Sequence, residues 1–512
     1  MNWYNMMKSQ RVKYWCKGAA AGSVRRSPVF VAWVLMMTLC PAAAEAQQQE
    51  AVVTEHSVTV NGQEVPYRAT VGFLPVYDDY DEVVASLHYT FYERTDVSHP
   101  SQRPLSFSFN GGPGSASLWM HIGYTGPRLL EIDDEGFPIQ PYGFRENPHS
   151  VIDVTDIVFV NPVNTGYSRP AEGVNPRRFY GLDNDIDYLA EWIRLFVTRA
   201  DRWDSPKFLI GESYGTTRVA GLAARLQDRH WMYLNGVVLV SPTDLGVPRE
   251  GPVGAALELP HYAATAWYHG LLDPELQDRD LEEWIEEVER FTIEEYIPAL
   301  ARGGFLSQER RRSIATRVAR YAGVSPQFVL NHNLAVPADS WRKELLRHRG
   351  LSVGRLDSRY AGLDREAAGV RYDYDPALSA WNHAFAPAIN VYFRRELGYE
   401  TDVQYNVFGR VSRWDREGDT GERLRQAMAK NPHLQTLFQA GYYDGGRTNY
   451  FAAKYAMWNM DPSGRLRDRL HYVVYRSGHM MYLRRADLEG SNEDIRAFIR
   501  NSIPSPGSPA RH

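Results

Sequence analysis

Residues 211–215 read Gly-Glu-Ser-Tyr-Gly, a match to G-x-S-x-G. The two glycines permit a sharp strand-to-helix turn that presents a serine oxygen above a sheet. The surroundings fit, because KFLI before it reads as a strand and TTRVAGLAARLQ after it reads as a helix. A serine hydroxyl needs a base to become a nucleophile, and the base needs an acid to orient it. In a fold built around this turn the chain order is Ser, then Asp or Glu, then His. The chain has 15 histidines, and His479 is distinctive by position. It lies in RSGHMMYL, after the apparent last strand HYVVY and before the last helix. Asp444 sits likewise in YYDGG, after the strand LQTLFQAG. Taken alone, Asp444 reads equally well as a turn residue before Gly445-Gly446. Ser213, Asp444 and His479 are therefore the candidate nucleophile, orienting acid and base of an acyl-transfer reaction.

A second stretch bears on the same chemistry. Residues 107–118 read FSFNGGPGSASL, with Gly111, Gly112 and Gly114 bunched after a short strand. Such a loop approaches something closely or takes φ > 0. A phosphate cradle would require G-x-x-x-x-G-K-[ST], or G-x-G-x-x-G opening a helix, and neither is present. An oxyanion hole fits better. It takes one N–H from the residue after the nucleophile and another from an early Gly-rich loop. Tyr214 N–H and Gly112 N–H are the expected donors.

The elements that must position these residues can be read coarsely. SVTVNGQEV, ASLHYTFYER and PLSFSFN alternate like strands, and Asn61-Gly62 is a strong hairpin signal. IVFVNPV (157–163) and GVVLVSP (236–242) are near-continuous apolar runs, as strands covered on both faces would be. IDYLAEWIRLFVTRA (186–200) has helical spacing through Leu189, Ile193, Phe196 and Val197. Strand and helix alternate, which predicts an α/β architecture with a doubly wound, mostly parallel central sheet. From about residue 246 the pattern becomes helical; LEEWIEEVERF places Leu281, Trp284, Ile285, Val288 and Phe291 on one stripe. The sheet pattern resumes at LQTLFQAG and HYVVY, and DIRAFIRNSI (494–503) is the expected last helix. The long gap between Ser213 and Asp444 is thus filled by an inserted cap that would shape substrate access. The expected organisation is an export signal over 1–46, a core over 47–245 and 401–503, a helical cap over 246–400, and a disordered tail over 504–512.

Length and composition bound these readings. The chain has 512 residues, 44% apolar and 23% charged, with a formal net charge of -5. No basic face points to nucleic acid. Arg11, Lys13, Lys17, Arg25 and Arg26 precede VFVAWVLMMTL, a run too short to span a bilayer, and Ala44-Glu45-Ala46 is an A-x-A cleavage signal. Export to the periplasm or the exterior is expected, with no membrane attachment after signal removal. Both cysteines, Cys16 and Cys40, fall in this leader. The mature protein is expected to hold no disulfide and no thiol nucleophile, and no motif calls for a cofactor or metal.

The motifs NGGPGSAS (110–117), GESYG (211–215), AGYYDGGRTNY (440–450) and SGHMMY (477–482), with VNPVNTGYS (160–168) as a weaker fifth, resemble the serine carboxypeptidase family, in that family's order. The resemblance implies an α/β-hydrolase fold with a helical insertion, a triad at Ser213, Asp444 and His479, and oxyanion N–H groups at Gly112 and Tyr214. It implies a bacterial member that releases C-terminal amino acids from peptides. It also implies that Asn110 and Glu212 hold the substrate's C-terminal carboxylate. The departures concern that carboxylate. The family's Trp two residues before the Asn is Ser108 here, its Cys after NGGPG is Ser115, and a second Glu that shares a proton with the first is replaced, by register, by Tyr124. Two adjacent carboxyls cannot readily both ionise, so a pair accepts a carboxylate while half-protonated. Without the second Glu that device is incomplete, and a nearby arginine such as Arg128 is a candidate substitute. An esterase or acyltransferase on the same scaffold is the alternative, and a non-catalytic binding module is disfavoured by the intact candidate triad.

Overall fold

The computed structural model describes residues 50–416 and 418–511. The expected export signal, with Cys16 and Cys40, lies outside them. The chain opens with three antiparallel strands, β1 (Val52–Val60), β2 (Gln63–Tyr77) and β3 (Val83–Arg94). The β1–β2 connection is Asn61-Gly62, with φ of 51° and 78°. Both positive values belong to the tight turn that matches strand twist, which is why Asn-Gly sits there.

Four further strands on the main path of the same sheet follow: β4 (Leu105–Phe109), β5 (Asp156–Val160), β6 (Lys207–Glu212) and β7 (Gly236–Val240). The last two are β8 (Gln435–Gly441) and β9 (Leu470–Tyr475). The sheet runs β1-β2-β3-β5-β4-β6-β7-β8-β9, with the short Arg169–Pro170 strand pairing off this path with β3. Every pairing from β5 to β9 is parallel. This is the α/β-hydrolase fold: a mostly parallel sheet, extended at one edge by antiparallel strands. The apolar runs are buried throughout β4 to β7, because both faces are covered. Alternate residues serve opposite layers. Ile210 and Val238 join the cluster holding Ile495 and Ile499, whereas Leu209 and Val237 join the cluster holding Leu189, Ile193 and Leu222.

The covering helices are α1 (Leu182–Arg199) and α2 (Tyr214–His230) on one face. Between β7 and β8 the chain is mostly helical, through α3 (Leu259–Tyr268), α4 (Leu281–Phe291), α5 (Gln308–Ala322), α6 (Pro376–Arg395) and α7 (Thr420–Lys430). The chain ends in α8 (Tyr450–Met460) and α9 (Arg485–Ser502), and residues 504–511 carry no helix or strand. The stripe of α4 is buried as its spacing predicts, and Asp280 caps the helix by accepting the Glu282 N–H at 3.0 Å. The apolar cluster of α3 to α5 continues into Tyr442, Tyr443, Tyr450 and Phe451, which flank Asp444. The sequence reading did not foresee the two-stranded pair Leu351–Val353 and Ala361–Leu363 in this region. Nor did it foresee that α6 packs into the sheet's own core, through Trp381, Phe385 and Ile389.

Trp284 is 0% exposed and Phe305 is 100% exposed. Trp284→Ala is expected to cost about 3–5 kcal/mol by leaving a cavity, and Phe305→Ala no more than about 0.5 kcal/mol. Chemical denaturation of the two variants beside the parent checks this.

Candidate active site

The chain leaves β6 at Glu212 and enters α2 at Tyr214, so Ser213 alone makes the turn, at φ 59° and ψ −126°. That conformation costs on the order of 1–3 kcal/mol for a residue with a side chain, and it persists only where the surroundings hold it. They do: the Ser213 N–H donates to Val240 O at 2.9 Å, and a Cβ on Gly211 would lie 2.2 Å from Gly215 O. The motif's glycines are thus required by contact across the turn.

The loop 110–114 follows β4, the parallel neighbour of β6, with Phe109 in register with Gly211. It presses on the turn. A Cβ on Gly111 would meet Tyr214 N at 2.5 Å and Glu212 O at 2.7 Å. Gly112 takes φ 101°, in the region that favours glycine. Among the described residues, neither Gly112 N–H nor Tyr214 N–H donates to a protein acceptor. Arg218, one turn into α2 and fully buried, clamps the loop: it donates to Asn110 O at 2.6 Å and Pro113 O at 3.4 Å, and pairs with Asp185 at 2.7 Å.

His479 and Asp444 meet. His479 Nδ1 and Asp444 Oδ2 are 2.7 Å apart, and both groups are buried. Asp444 also accepts the Gly446 N–H at 2.9 Å and the Thr448 hydroxyl at 2.7 Å. Burial opposes the carboxylate, but the His479 charge and these bonds outweigh it and hold Asp444 below its usual range. Burial likewise opposes protonated His479, and the Asp444 charge and bond reverse this, raising its pKa. Ser213 and His479 line the same two cavities without a hydrogen bond between them. Bonds of that kind are often long until substrate is seated.

The first cavity, of ≈450 Å³, is lined by Asn110, Trp119, Glu212, Ser213, Trp381 and His479 among others. Asn110 Nδ2 donates to Glu212 Oε2 at 3.1 Å. Tyr482 donates its hydroxyl to the same oxygen at 2.5 Å. Glu212 Oε1 stands 3.9 Å from His479 Nε2. Burial pushes the Glu212 carboxyl up to about 7, against the opposing influence of His479, Tyr482 and Asn110. The carboxyl therefore titrates near neutrality without a second glutamate. Tyr124 does not bond to Glu212; it stacks on Tyr482, centroids 4.4 Å apart, and donates to Gln439 at 2.8 Å. Ser108 is buried in β4, and its hydroxyl has no partner among the described residues. Ser115 accepts the Trp119 indole N–H at 2.9 Å.

One expectation is corrected. Arg128 does not reach the cavity: it pairs with Glu396 at 2.5 Å and bonds to Ser57 O, so it cannot anchor a substrate there. The arginines at the site are Arg355 and Arg416, from loops with no readable motif. Tyr482 and Thr448 were legible in principle, because they stand within the SGHMMY and AGYYDGGRTNY stretches, but nothing in the residue types announced their partners.

Residues 60–295 match the family model described as serine carboxypeptidase. A putative serine carboxypeptidase-like protein of Arabidopsis thaliana is 25% identical over 175 residues, covering 33% of this chain and 32% of the relative. The lysosomal protective protein of Mus musculus is 24% identical over 165 residues, covering 32% and 33%. The chain thus spans about a third of the length of these curated relatives. A prohormone-processing carboxypeptidase from Saccharomyces cerevisiae matches with a TM-score of 0.49 at 15% identity, covering 86% of this chain and 93% of that one. The matched residues 60–295 carry the Gly-rich loop and the strand-to-helix turn.

Proposed function

We propose that this protein is an exported serine carboxypeptidase that releases C-terminal amino acids from peptides. Ser213 Oγ attacks the scissile carbonyl carbon while His479 takes its proton. Asp444 keeps the imidazole oriented and stabilises its charged form. The oxyanion forms against Gly112 N–H and Tyr214 N–H, each worth roughly 3 kcal/mol in the transition state. His479 then protonates the departing amine, and water, activated by the same imidazole, hydrolyses the acyl-enzyme. The observation that carries the peptidase reading is the group Asn110, Glu212 and Tyr482 beside the nucleophile. A neutral Glu212 carboxyl can donate a hydrogen bond to a substrate carboxylate, where an ionised one would repel it. The leader supports export by its A-x-A signal. Among the described residues no helix is long and apolar enough to cross a membrane.

The direct test is incubation of N-blocked dipeptides with purified protein between about pH 4 and 8, the span that brackets the relevant pKa values. Release of the C-terminal amino acid is expected, with loss of at least about a thousandfold in kcat for Ser213→Ala. Cleavage of simple esters without any peptide turnover would favour the esterase or acyltransferase alternative.

The two titrations set the pH profile. His479 must be neutral to accept the serine proton, and its raised pKa moves the acid limb upward. Glu212 must be protonated to accept a carboxylate, and its pKa of about 7 sets the alkaline limb. Because the groups are 3.9 Å apart, the limbs belong to the coupled pair. For peptides kcat/KM is expected to peak near neutrality, whereas esters lacking the carboxylate should keep the acid limb and lose the alkaline one. A peptide optimum near about pH 4 to 5 contradicts this assignment.

Tyr482→Phe removes a hydrogen bond that holds the Glu212 pKa down. The alkaline limb for peptides is expected to move up, with KM changing more than kcat, and the ester profile should stay as it was.

A further inference from the structure

Two cavities meet at Gly112, Ser213, Arg355, Leu356, Arg416 and His479. The one containing Asn110 and Glu212 is described above. The other, of ≈500 Å³, runs along the first turn of α2 past Tyr214 and Thr217. Its lining is strongly cationic: Arg249 and Arg447 stand there, with Arg355 and Arg416 at the seam it shares with the first cavity, against one carboxylate, Asp244. These arginines come from four separate segments of the chain, so neighbourhood in sequence does not account for their gathering.

Their mutual arrangement leaves positive charge over. Asp244 Oδ2 is already shared between Arg249, at 3.2 Å, and Arg447, at 3.5 Å. The Arg249 side chain is only 10% exposed and also donates to Arg447 O, so this part of the wall is held in place. Arg355 comes no nearer than 3.7 Å to Asp375. Arg416 donates to Gly112 O at 3.5 Å and lies 5.5 Å from the centre of the Tyr214 ring. The Gly112 contact sets a guanidinium beside the Gly-rich loop, at the seam of the two cavities. A guanidinium offers several N–H donors in a plane that matches a carboxylate, and a lysine side chain brought among four of them would be repelled.

We propose that this second cavity holds the side chain on the acyl side of the scissile bond and selects an acidic one. The preferred substrates are peptides whose penultimate residue is Asp or Glu. The proposal rests on the reading of Asn110 and Glu212 as holders of the C-terminal carboxylate. A chain lying across Ser213 with its last residue in their cavity must place the preceding residue on the other side. The arginines then discriminate by charge between acyl groups that the triad treats alike.

The test compares kcat/KM for N-blocked Glu-Ala, Leu-Ala and Lys-Ala, at low salt and at about 0.5 M salt, where exposed charges are screened within a few ångströms. Glu-Ala is expected to exceed Lys-Ala by at least about tenfold at low salt, with the ratio narrowing at high salt. Arg447 is 82% exposed, so Arg447→Gln should fold normally. It and Arg416→Gln are expected to lower the Glu-to-Leu ratio several-fold. Equal or reversed preference for Lys-Ala, or ratios unchanged in both variants, overturns the proposal. A parallel series of p-nitrophenyl esters of N-blocked Glu, Leu and Lys carries the same acyl groups without a leaving-group carboxylate. If the esters react and the dipeptides do not, the carboxypeptidase reading fails, and the Glu-to-Lys ratio among the esters decides this proposal by itself. Absence of turnover in both series overturns both.

Discussion

The site depends on how closely two neighbouring strands deliver their ends. β4 and β6 are parallel partners, with Phe109 beside Gly211. That register brings Asn110 to Glu212 and lays the Gly111 backbone against Glu212 and Tyr214. The approach is too close for any side chain, since a Cβ on Gly111 would stand 2.5 Å from Tyr214 N. A slip of one residue would turn every side chain of the strand to the other face and break the arrangement. Behind the loop, Arg218 ties Asn110 and Pro113 carbonyls to Asp185 inside the core. A fully buried ion pair adds little net stability over apolar residues, but removing one partner costs about 3–5 kcal/mol. Such a pair is better understood as holding the loop in one place.

Burial has opposite outcomes for the three titratable groups at the site. Asp444 has three hydrogen-bonding neighbours and stays charged in spite of it. Glu212 has fewer and less polar surroundings, and burial wins. His479 lies between the two carboxyls, 2.7 Å from one and 3.9 Å from the other. Two carboxyl groups in different environments thus have their pKa values pushed apart, as the proposed orienting and carboxylate-binding roles require. A tyrosine hydroxyl stands on Glu212 Oε2, so a single glutamate has a buried donor where a second carboxyl was expected from the family's pattern.

Much of this was legible along the chain because it is written in local rules. The turn at 211–215, the Asn61-Gly62 hairpin, the buried strand at 236–240 and the stripe of α4 each follow from glycine freedom or apolar periodicity. Ser213, Asp444 and His479 were placed by element order: each follows the end of a strand in a parallel sheet, and such ends gather on one edge. The partners were not legible. Tyr482 and Tyr124 are both buried tyrosines near the motifs, and their residue types do not say which one meets Glu212. Arg128 stands in sequence just after the Gly-rich segment, yet the chain carries it to Glu396.

The sequence by itself thus determined the proposed chemistry, because a candidate nucleophile, its base and its oxyanion donors need particular residue types at turns whose geometry is local. It also determined the α/β class, because a strand covered on both faces must be apolar at every position. Only the tertiary structure decided what surrounds that chemistry. The protonation of Glu212 depends on burial summed over side chains from β4, β6 and the segment after β9. The charge of the second cavity depends on arginines from four segments that share no spacing. Such quantities are sums over contacts between distant parts of the chain, and no stretch of residues contains them.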